Sequence, residues 1–191
     1  MKTLRKTAEE AYLKYANKII NRETWIDGFI SGIQYKKEYP QSIELCGLLW
    51  DTENLAIGGY EKDGHHYYTW HEAMEAARWL SAVGKRLPTK AELKALCDLG
   101  STWDDKRKGR WFGGNHNSDH KGSLFLPAAG LRYDSSGELA DTSSSGYYWS
   151  SSPNYGGGNN AGYLYFYSGN VDPLGNSNRA HGFSVRCVQN K

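Results

Sequence analysis

A chain of 191 residues with a formal net charge of +2 has room for one medium domain and a small appendage, but not for two large domains. Lysine and arginine (23) only just exceed aspartate and glutamate (21), which argues against nucleic acid as a partner, whereas 14 tyrosines and 7 tryptophans predict an adhesive surface. No stretch has the roughly 18 apolar residues of a membrane span, and residues 1–10 lack the apolar core of a signal peptide. We therefore expect a chain without a membrane span that is cytoplasmic as synthesised.

Residues 1–40 predict a short helical module. Residues 7–10 have the spacing of a capping box, and apolar residues recur at helical spacing after them. A second helix, with Trp25, Phe29 and Ile33 on one face, is expected to end before Pro40. Two such helices bury too little surface to be stable alone. We expect them to pack on the following domain or on copies of themselves, which makes them a candidate element for homo-oligomer formation.

A compact domain is predicted for residues 42–191. Apolar alternation over residues 43–50 predicts strands, with turns at residues 58–59 and 63–64. Two further capping boxes, at residues 69–72 and 89–92, predict helices, and Gly84 stands where a C-terminal glycine cap belongs. The helical residues that we expect to face the core are Trp70, Met74, Ala77, Leu80, Leu93 and Leu96.

The last third of the chain differs in composition, because charged side chains are scarce between residues 142 and 191 and Ser, Gly, Asn and Tyr dominate. Such a composition alone is typical of disorder. Residues 163–167, however, alternate between tyrosine and apolar side chains, and residues 183–187 alternate between apolar and polar ones. These alternations predict antiparallel strands joined by long loops.

Three separated motifs carry a resemblance to a known family: residues 84–89 (GKRLPT), 146–152 (GYYWSSS) and 182–188 (GFSVRCV). In this order they resemble the formylglycine-generating-enzyme-like branch of the C-type lectin fold, and most of all the variable proteins of diversity-generating retroelements. The resemblance covers about residues 43–189. It implies an α+β domain with a C-type-lectin-like fold, in which two flanking helices and long loops accompany antiparallel strands.

In the retroelement proteins that this chain resembles, error-prone reverse transcription changes codons at template adenines while the framework stays constant. The residue types that such codons never encode include Trp, Lys, Glu, Gln and Met, and none of these five occurs between residues 150 and 188, the segment expected to be diversified. The resemblance implies a ligand-binding, receptor-recognition protein, and phage-borne members of the family suggest display on a phage particle. The expected partner is an unknown protein or glycan on a cell surface.

A diversified protein needs buried framework residues and solvent-facing variable ones. The expected framework residues are Leu164, Phe166, Val171, Phe183, Val185 and Cys187, with Trp149 and Arg179 tying strands to loops. The ligand-binding positions that the resemblance implies are Asn154, Tyr155, Gly156, Gly157, Gly158, Gly162, Tyr165, Tyr167, Asn170, Asp172, Leu174, Gly175 and His181. Tyrosine suits such a face because it offers large apolar area and a polar tip. The alternative for each tyrosine of residues 163–167 is the second buried side of a strand.

Enzymatic chemistry is the main alternative, because formylglycine-generating enzymes oxidise a substrate cysteine with copper-binding cysteines. Here Cys187 matches the framework cysteine of the last motif, and neither Cys46 nor Cys97 lies in a segment that resembles the catalytic one. We expect no catalytic residue, no cofactor and three buried free cysteines that act as small apolar groups. A formylglycine-generating-type oxidase and a non-variable carbohydrate-binding lectin domain remain the two alternative functions.

Three polar segments suggest sites of other kinds. His116 and His120 have a ligand spacing but fall in a loop rather than on a helix, so we expect no metal there. Residues 134–138 contain oxygen ligands suited to calcium, yet a hairpin turn explains them. The basic residues 106–108 are expected to form an exposed charged loop.

Overall fold

The computed structural model of the chain describes residues 42–114, 120–154 and 158–191. The helical module predicted for residues 1–40 lies outside the described residues and remains a prediction. Residues 42–191 form one compact unit. Neither helix within the described ranges has the length and apolar character needed to cross a bilayer.

The described domain combines antiparallel strands with two α-helices, so the α+β class predicted from the sequence is confirmed. The helices are α1 (Trp70–Leu80), which continues into a 3-10 turn (Ser81–Val83), and α2 (Lys90–Asp98). The strands are β1 (Ser42–Leu45), β2 (Leu48–Asp51), β3 (Tyr60–Lys62), β4 (His65–Tyr67), β5 (Lys85–Arg86), β6 (Ser101–Asp104), β7 (Gly109–Phe112), β8 (Leu124–Pro127), β9 (Leu131–Arg132), β10 (Leu139–Ala140), β11 (Ser145–Pro153), β12 (Asn160–Tyr167), β13 (Asn170–Asn178) and β14 (Val188–Asn190).

The strands are arranged in small sheets rather than in one large sheet. One sheet has the order β1-β2-β14-β5, so the strand that is last in the sequence lies between β2 and β5. Two three-stranded meanders, β6-β7-β8 and β11-β12-β13, and the hairpins β3-β4 and β9-β10 complete the set. The turn between β1 and β2 uses Cys46 and Gly47, both with positive φ, which is the geometry of a two-residue hairpin turn.

Both helices begin as their sequences predict. The Thr69 hydroxyl accepts a hydrogen bond from the Glu72 backbone N–H, and the Glu72 carboxylate accepts one from the Thr69 N–H at 2.8 Å. Thr89 and Glu92 form the same reciprocal pair at the start of α2. Each box satisfies backbone donors that the first helical turn leaves without partners. Gly84 ends the 3-10 turn in the left-handed conformation, with φ of +78°, which confirms its predicted capping role.

Two clusters of buried side chains form the core. In the first, Leu93 and Leu96 of α2 pack with Leu164 and Phe166 of β12. In the second, α1 packs through Ala73 and Ala77 against Trp149, Phe183 and neighbouring residues. Trp70, Met74 and Leu80 are partly buried against this second cluster. The helical core positions predicted from periodicity are therefore confirmed.

The strand predicted over residues 183–187 is wrong. Only isolated bridges occur there, between Phe183 and Tyr68 and between Ser184 and Tyr148. Every residue from 182 to 188 is buried, including the polar Ser184 and Arg186. The apolar and polar side chains alternate in sequence but not in exposure. This is because the segment runs through the interior, whereas a surface strand has one solvent-exposed side.

Arg186 lies within this segment and is only 2% exposed. Its Nε and Nη2 donate to Oδ1 of Asn54 at 3.0 and 2.7 Å, and its Nη1 donates to the carbonyl of Asp51 at 2.9 Å. The Asn54 amide in turn donates to the Tyr148 hydroxyl, which donates to the carbonyl of Pro127. Burial lowers the pKa of Arg186. The cation is thus held by neutral oxygens in a connected network.

We predict that Arg186→Met lowers the free energy of unfolding by about 2–4 kcal/mol, because the substitution removes the donors that the oxygens of the half-buried Asn54 and Asp51 accept from. Urea denaturation followed by tryptophan fluorescence measures the change. Arg78→Met is the matched control, because Arg78 is exposed on α1, and it should change stability by less than about 0.5 kcal/mol. Equal effects of the two substitutions would contradict a structural role for the buried network.

Candidate functional site

The sheet β11-β12-β13 separates the alternating residues of β12 onto two faces. Leu164 and Phe166 point into the first core cluster and are fully buried. Phe166 contacts Phe112 edge-on, with ring centroids 5.6 Å apart. This face fixes the strand by packing, so the framework role predicted for Leu164 and Phe166 agrees with their burial.

The opposite side of the sheet carries Tyr147 of β11 and Tyr163, Tyr165 and Tyr167 of β12, and we call it the tyrosine face. Tyr147 pairs directly with Tyr165, and Trp149 pairs with Tyr163. The rings of Tyr147 and Tyr165 lie 5.0 Å apart, and those of Tyr165 and Tyr167 lie 5.8 Å apart. Cross-strand aromatic pairs of this kind stabilise a sheet while they present a continuous surface.

One end of the tyrosine face is covered and the other is open. Phe183 stacks on the buried Trp149 at 4.2 Å and contacts Tyr163 and Tyr147 at 5.0 and 5.2 Å. Tyr163 and Tyr165 are half-buried, whereas Tyr167 is 40% exposed. Both interpretations of the tyrosines therefore hold in part, because burial decreases stepwise from Trp149 to Tyr167.

A short serine segment, residues 150–152, joins the sheet to both helices. It bulges opposite Gly162, because Trp149 pairs with Tyr163 and the next pair is Pro153 with Ala161. The Ser150 carbonyl accepts from the indole of Trp70 at 2.8 Å, and the Ser152 hydroxyl accepts from the backbone N–H of Lys90 at 3.0 Å. These serines lie inside the segment expected to be diversified, but they have structural roles.

The described positions predicted to bind ligand differ in exposure. The exposed ones are Gly158, Tyr167, Asn170 and Leu174. The half-buried ones are Asn154, Tyr165, Asp172, Gly175 and His181. Tyr155, Gly156 and Gly157 lie outside the described residues. The sheet brings Tyr165, Tyr167, Asn170 and Asp172 together, since Tyr165 pairs with Asp172 and Tyr167 with Asn170.

Gly162 departs from the expectation that variable positions face solvent, because it is buried. A Cβ atom at this position would lie 2.9 Å from the Ser150 hydroxyl and 3.0 Å from the Lys90 side chain. The period of two places Gly162 on the same side as Leu164 and Phe166, which could have excluded it from the sequence alone. Gly162 therefore does not belong to the candidate face.

Gly175 has a different constraint. It pairs with Tyr163 across the sheet, and a Cβ atom there would lie 2.6 Å from a ring carbon of that tyrosine. The neighbour is a side chain rather than backbone, so a larger residue could enter only if the Tyr163 ring moved. Side chains at positions 163 and 175 are therefore sterically coupled.

His181 sits at the edge of the tyrosine face in a polar corner. Its Nδ1 accepts from the Asp134 backbone N–H at 3.3 Å and lies 3.4 Å from the Asp134 carboxylate. Its ring contacts Tyr133 edge-on and stacks near Phe183. Asp134 belongs to the turn between β9 and β10, so the predicted hairpin at residues 134–138 is confirmed.

Two side chains of the site are not among the positions predicted from the sequence, namely Tyr147 of the tyrosine face and Asp141 beside it. Tyr147 lies in one of the three motifs, but its pairing with Tyr165 can be recognised only when the register of the two strands is known. Asp141 comes from a turn and accepts a hydrogen bond from the Tyr147 hydroxyl at 2.6 Å. Burial and this hydrogen bond raise the pKa of Tyr147, so its hydroxyl stays protonated and acts as a donor. Nothing in the sequence pattern places Asp141 beside that tyrosine.

All three cysteines are free. The sequence predicts that all three are buried, but their burial differs. Cys187 is buried, Cys97 is half-buried, and Cys46 is exposed in the turn between β1 and β2, which corrects the expectation of burial for that residue. Burial raises the pKa of Cys97 and of Cys187 to about 12. A thiol with such a pKa is a poor nucleophile and a poor metal ligand near neutrality.

Within residues 42–114, 120–154 and 158–191, no three His, Cys, Asp or Glu side chains are grouped as metal ligands. His116 lies outside these ranges, while the ring of His120 stacks on Trp111 with centroids 4.3 Å apart. The basic loop places the Arg107 guanidinium 5.1 Å from the centre of the same Trp111 ring. The predicted absence of a metal site stays a prediction.

Residues 44–189 match a family model described as the Lcl C-terminal domain, so the match covers more than half of the chain and nearly all of the described domain. Searches of curated proteins and of solved structures found no match.

We predict that the two sides of β12 respond differently to truncation. Phe166→Ala should lower the free energy of unfolding by about 3–5 kcal/mol, because it opens a cavity in the core. Tyr167→Ser should lower it by less than about 1 kcal/mol, because that side chain is partly exposed at the open end. Thermal and urea unfolding of the two variants test this difference. A large loss in Tyr167→Ser would mean that the fold depends on the tyrosine face.

We also predict that native chain at pH 8 reacts with iodoacetamide at Cys46 alone among its three cysteines. With a pKa of about 12, only about one in ten thousand of the Cys97 or Cys187 thiols is ionised at that pH. Mass spectrometry after alkylation identifies the modified residue, and Cys46→Asn should abolish labelling. Asparagine is a suitable replacement because it tolerates the positive φ of this turn. Rapid native labelling of Cys187 would reopen the question of a reactive thiol.

Proposed function

The chain belongs to the Lcl C-terminal domain family, and on that premise we propose that it is a ligand-binding protein whose tyrosine face contacts the ligand. The face consists of Tyr147, Tyr163, Tyr165 and Tyr167, and the predicted positions Asn170, Asp172, Leu174 and His181 border it. Family membership is consistent with ligand binding and recognition of a host surface. The ligand in this proposal is a protein or glycan on a cell surface.

One observation carries this proposal. The side chains of β12 divide into a fully buried set that holds the strand and a second set that becomes exposed toward Tyr167. Large exposed aromatic and aliphatic groups on a rigid sheet are typical of recognition surfaces. Tyr167 and Leu174 are 40% and 52% exposed, so each offers apolar area to a partner without rearrangement of the core.

We also propose that the domain has a C-type-lectin-like fold and that its segment at about residues 150–188 is diversified by a retroelement. The three motifs of that resemblance have separate places in the domain. Residues 84–89 lead into α2, residues 146–152 form most of β11, and residues 182–188 cross the interior. The division between buried framework and exposed positions on β12 is what diversification without loss of fold requires.

The proposal assigns no catalysis and no cofactor to the chain. Two of the three cysteines have pKa values raised by burial to about 12, which disfavours the thiolate chemistry of a formylglycine-generating-type oxidase. The exposed Cys46 lies on a hairpin turn, remote in sequence from the other two. We further propose display on a phage particle, with the N-terminal segment as attachment or oligomerisation element. Several copies would add avidity to weak single contacts.

The deciding experiment is to sequence the DNA around the gene. We expect a reverse-transcriptase gene and a second copy of the region that encodes residues 150–188, with differences confined to adenines of the template copy. We expect those differences to fall in codons for exposed residues such as Tyr167 and Leu174. The codons for Ser150 and Gly162, which have structural roles, should be unchanged. If neither a copy nor a reverse transcriptase is present, the diversification hypothesis fails, and a non-variable carbohydrate-binding domain becomes the leading function.

A further inference from the structure

Two carboxylates border the open half of the tyrosine face. Asp172 lies directly opposite Tyr165 on the neighbouring strand, and Asp141 accepts the hydrogen bond from the Tyr147 hydroxyl. Tyr165 and Tyr147 are themselves a cross-strand pair. The four side chains therefore form one continuous group in which two aromatic rings lie between two negative charges.

The structure leaves these charges without a cationic partner. Among the described residues, neither Asp141 nor Asp172 has a lysine, arginine or histidine nitrogen within 4.0 Å. One oxygen of Asp172 accepts from the Leu174 backbone N–H at 2.8 Å. Arg110 of β7 donates hydrogen bonds to the Ser101 hydroxyl and to the carbonyl of Ser168, which lies in the turn after β12. Burial and the Asp172 charge both raise the pKa of Tyr163.

A negative field over aromatic rings selects for a cation. The faces of tyrosine rings attract ammonium and guanidinium groups, and a nearby carboxylate adds an ion pair to that attraction. A guanidinium is the better match, because it is planar, stacks on aromatic rings and donates two parallel hydrogen bonds to one carboxylate.

The shape and the neighbours of the group favour a protein partner. Leu174 lies in a bulge of β13 directly after Asp172, since Tyr165 pairs with Asp172 and Tyr163 with Gly175, and it is 52% exposed. Tyr167 adds a second exposed apolar side chain beside Tyr165. Apolar anchors around a charged contact on an open surface are typical of protein interfaces.

We propose that the open half of the tyrosine face binds an arginine-bearing segment of a partner protein, with the guanidinium on the exposed side of the contacting Tyr147 and Tyr165 rings, paired with Asp172 and attracted by Asp141. This inference rests on the proposed function, because it specifies the ligand class of the same face. It assigns the apolar contacts to Tyr167 and Leu174.

The test is selection of a library of random dodecapeptides on the full chain, followed by affinity measurement for the enriched peptides. We expect the enriched peptides to contain arginine and to bind more weakly as ionic strength rises. Asp172→Asn and Asp141→Asn should each weaken binding by about twofold to fivefold, the range of a partly exposed ion pair. Asparagine keeps the hydrogen bonds that both carboxylates accept, so these changes remove charge and little else.

Asp63→Asn is the matched control. Asp63 is an exposed turn residue with φ of +53°, close to the +56° of Asp141, but it lies on the β3-β4 hairpin. This substitution should leave peptide affinity unchanged. The double variant Tyr165→Ser, Tyr167→Ser reports whether a selected peptide uses the tyrosine face at all, and it should abolish the binding of arginine peptides.

The outcomes separate the two proposals. Enriched peptides that need Tyr165 and Tyr167 but lack arginine, or that bind equally to the Asp172→Asn and Asp141→Asn variants, would overturn the cationic partner and leave the binding face intact. Peptides that bind the double tyrosine variant as well as the native chain would overturn both. Failure to enrich any peptide that depends on the tyrosines would overturn the arginine-bearing partner and leave a glycan as the ligand of the same face.

Discussion

The buried guanidinium of Arg186 connects parts of the chain that are far apart in sequence. It bonds to Asn54 and Asp51 near the start of the domain and, through Asn54, to Tyr148 on β11. A buried cation is costly unless its donors are satisfied, so the backbone carbonyl and the amide oxygen that receive them must hold their positions. The interior segment, residues 182–188, and the sheet that carries the tyrosine face are fixed relative to each other by this requirement.

The serine segment extends that rigidity to the helices. Ser150 and Ser152 contact the first residues of α1 and α2, and Ser151 donates to the carbonyl of Pro88. The tyrosine face thus lies on a sheet whose edge strand, β11, is held by hydrogen bonds from residues 150–152 to both helix starts and to Pro88. Recognition surfaces that are held in place in this way lose little conformational entropy on binding.

Local signals in the sequence predicted the local structure well. The capping boxes at Thr69 and Thr89 were recognisable because their reciprocal bonds involve residues only three positions apart. The alternation of residues 163–167 predicted which side of β12 is buried. The segment 183–187 was misassigned because the same alternation occurs where both sides are buried, and only the tertiary fold decides that. Likewise, no short-range pattern predicts the hydrogen bond between Tyr147 and Asp141, because it depends on the conformation of the turn that carries Asp141.

The position of β14 affects how the domain can form during synthesis. This strand lies between β2 and β5, and Phe183 exchanges backbone hydrogen bonds with Tyr68, more than 100 residues earlier in the chain. The β1-β2 hairpin and both helices can form soon after they leave the ribosome, because their contacts are local. The four-stranded sheet and both core clusters must wait until residues 183–190 have emerged. Until then the nascent chain exposes the edge of β2 and the apolar faces of both helices, which makes it a candidate client for chaperones that bind such surfaces.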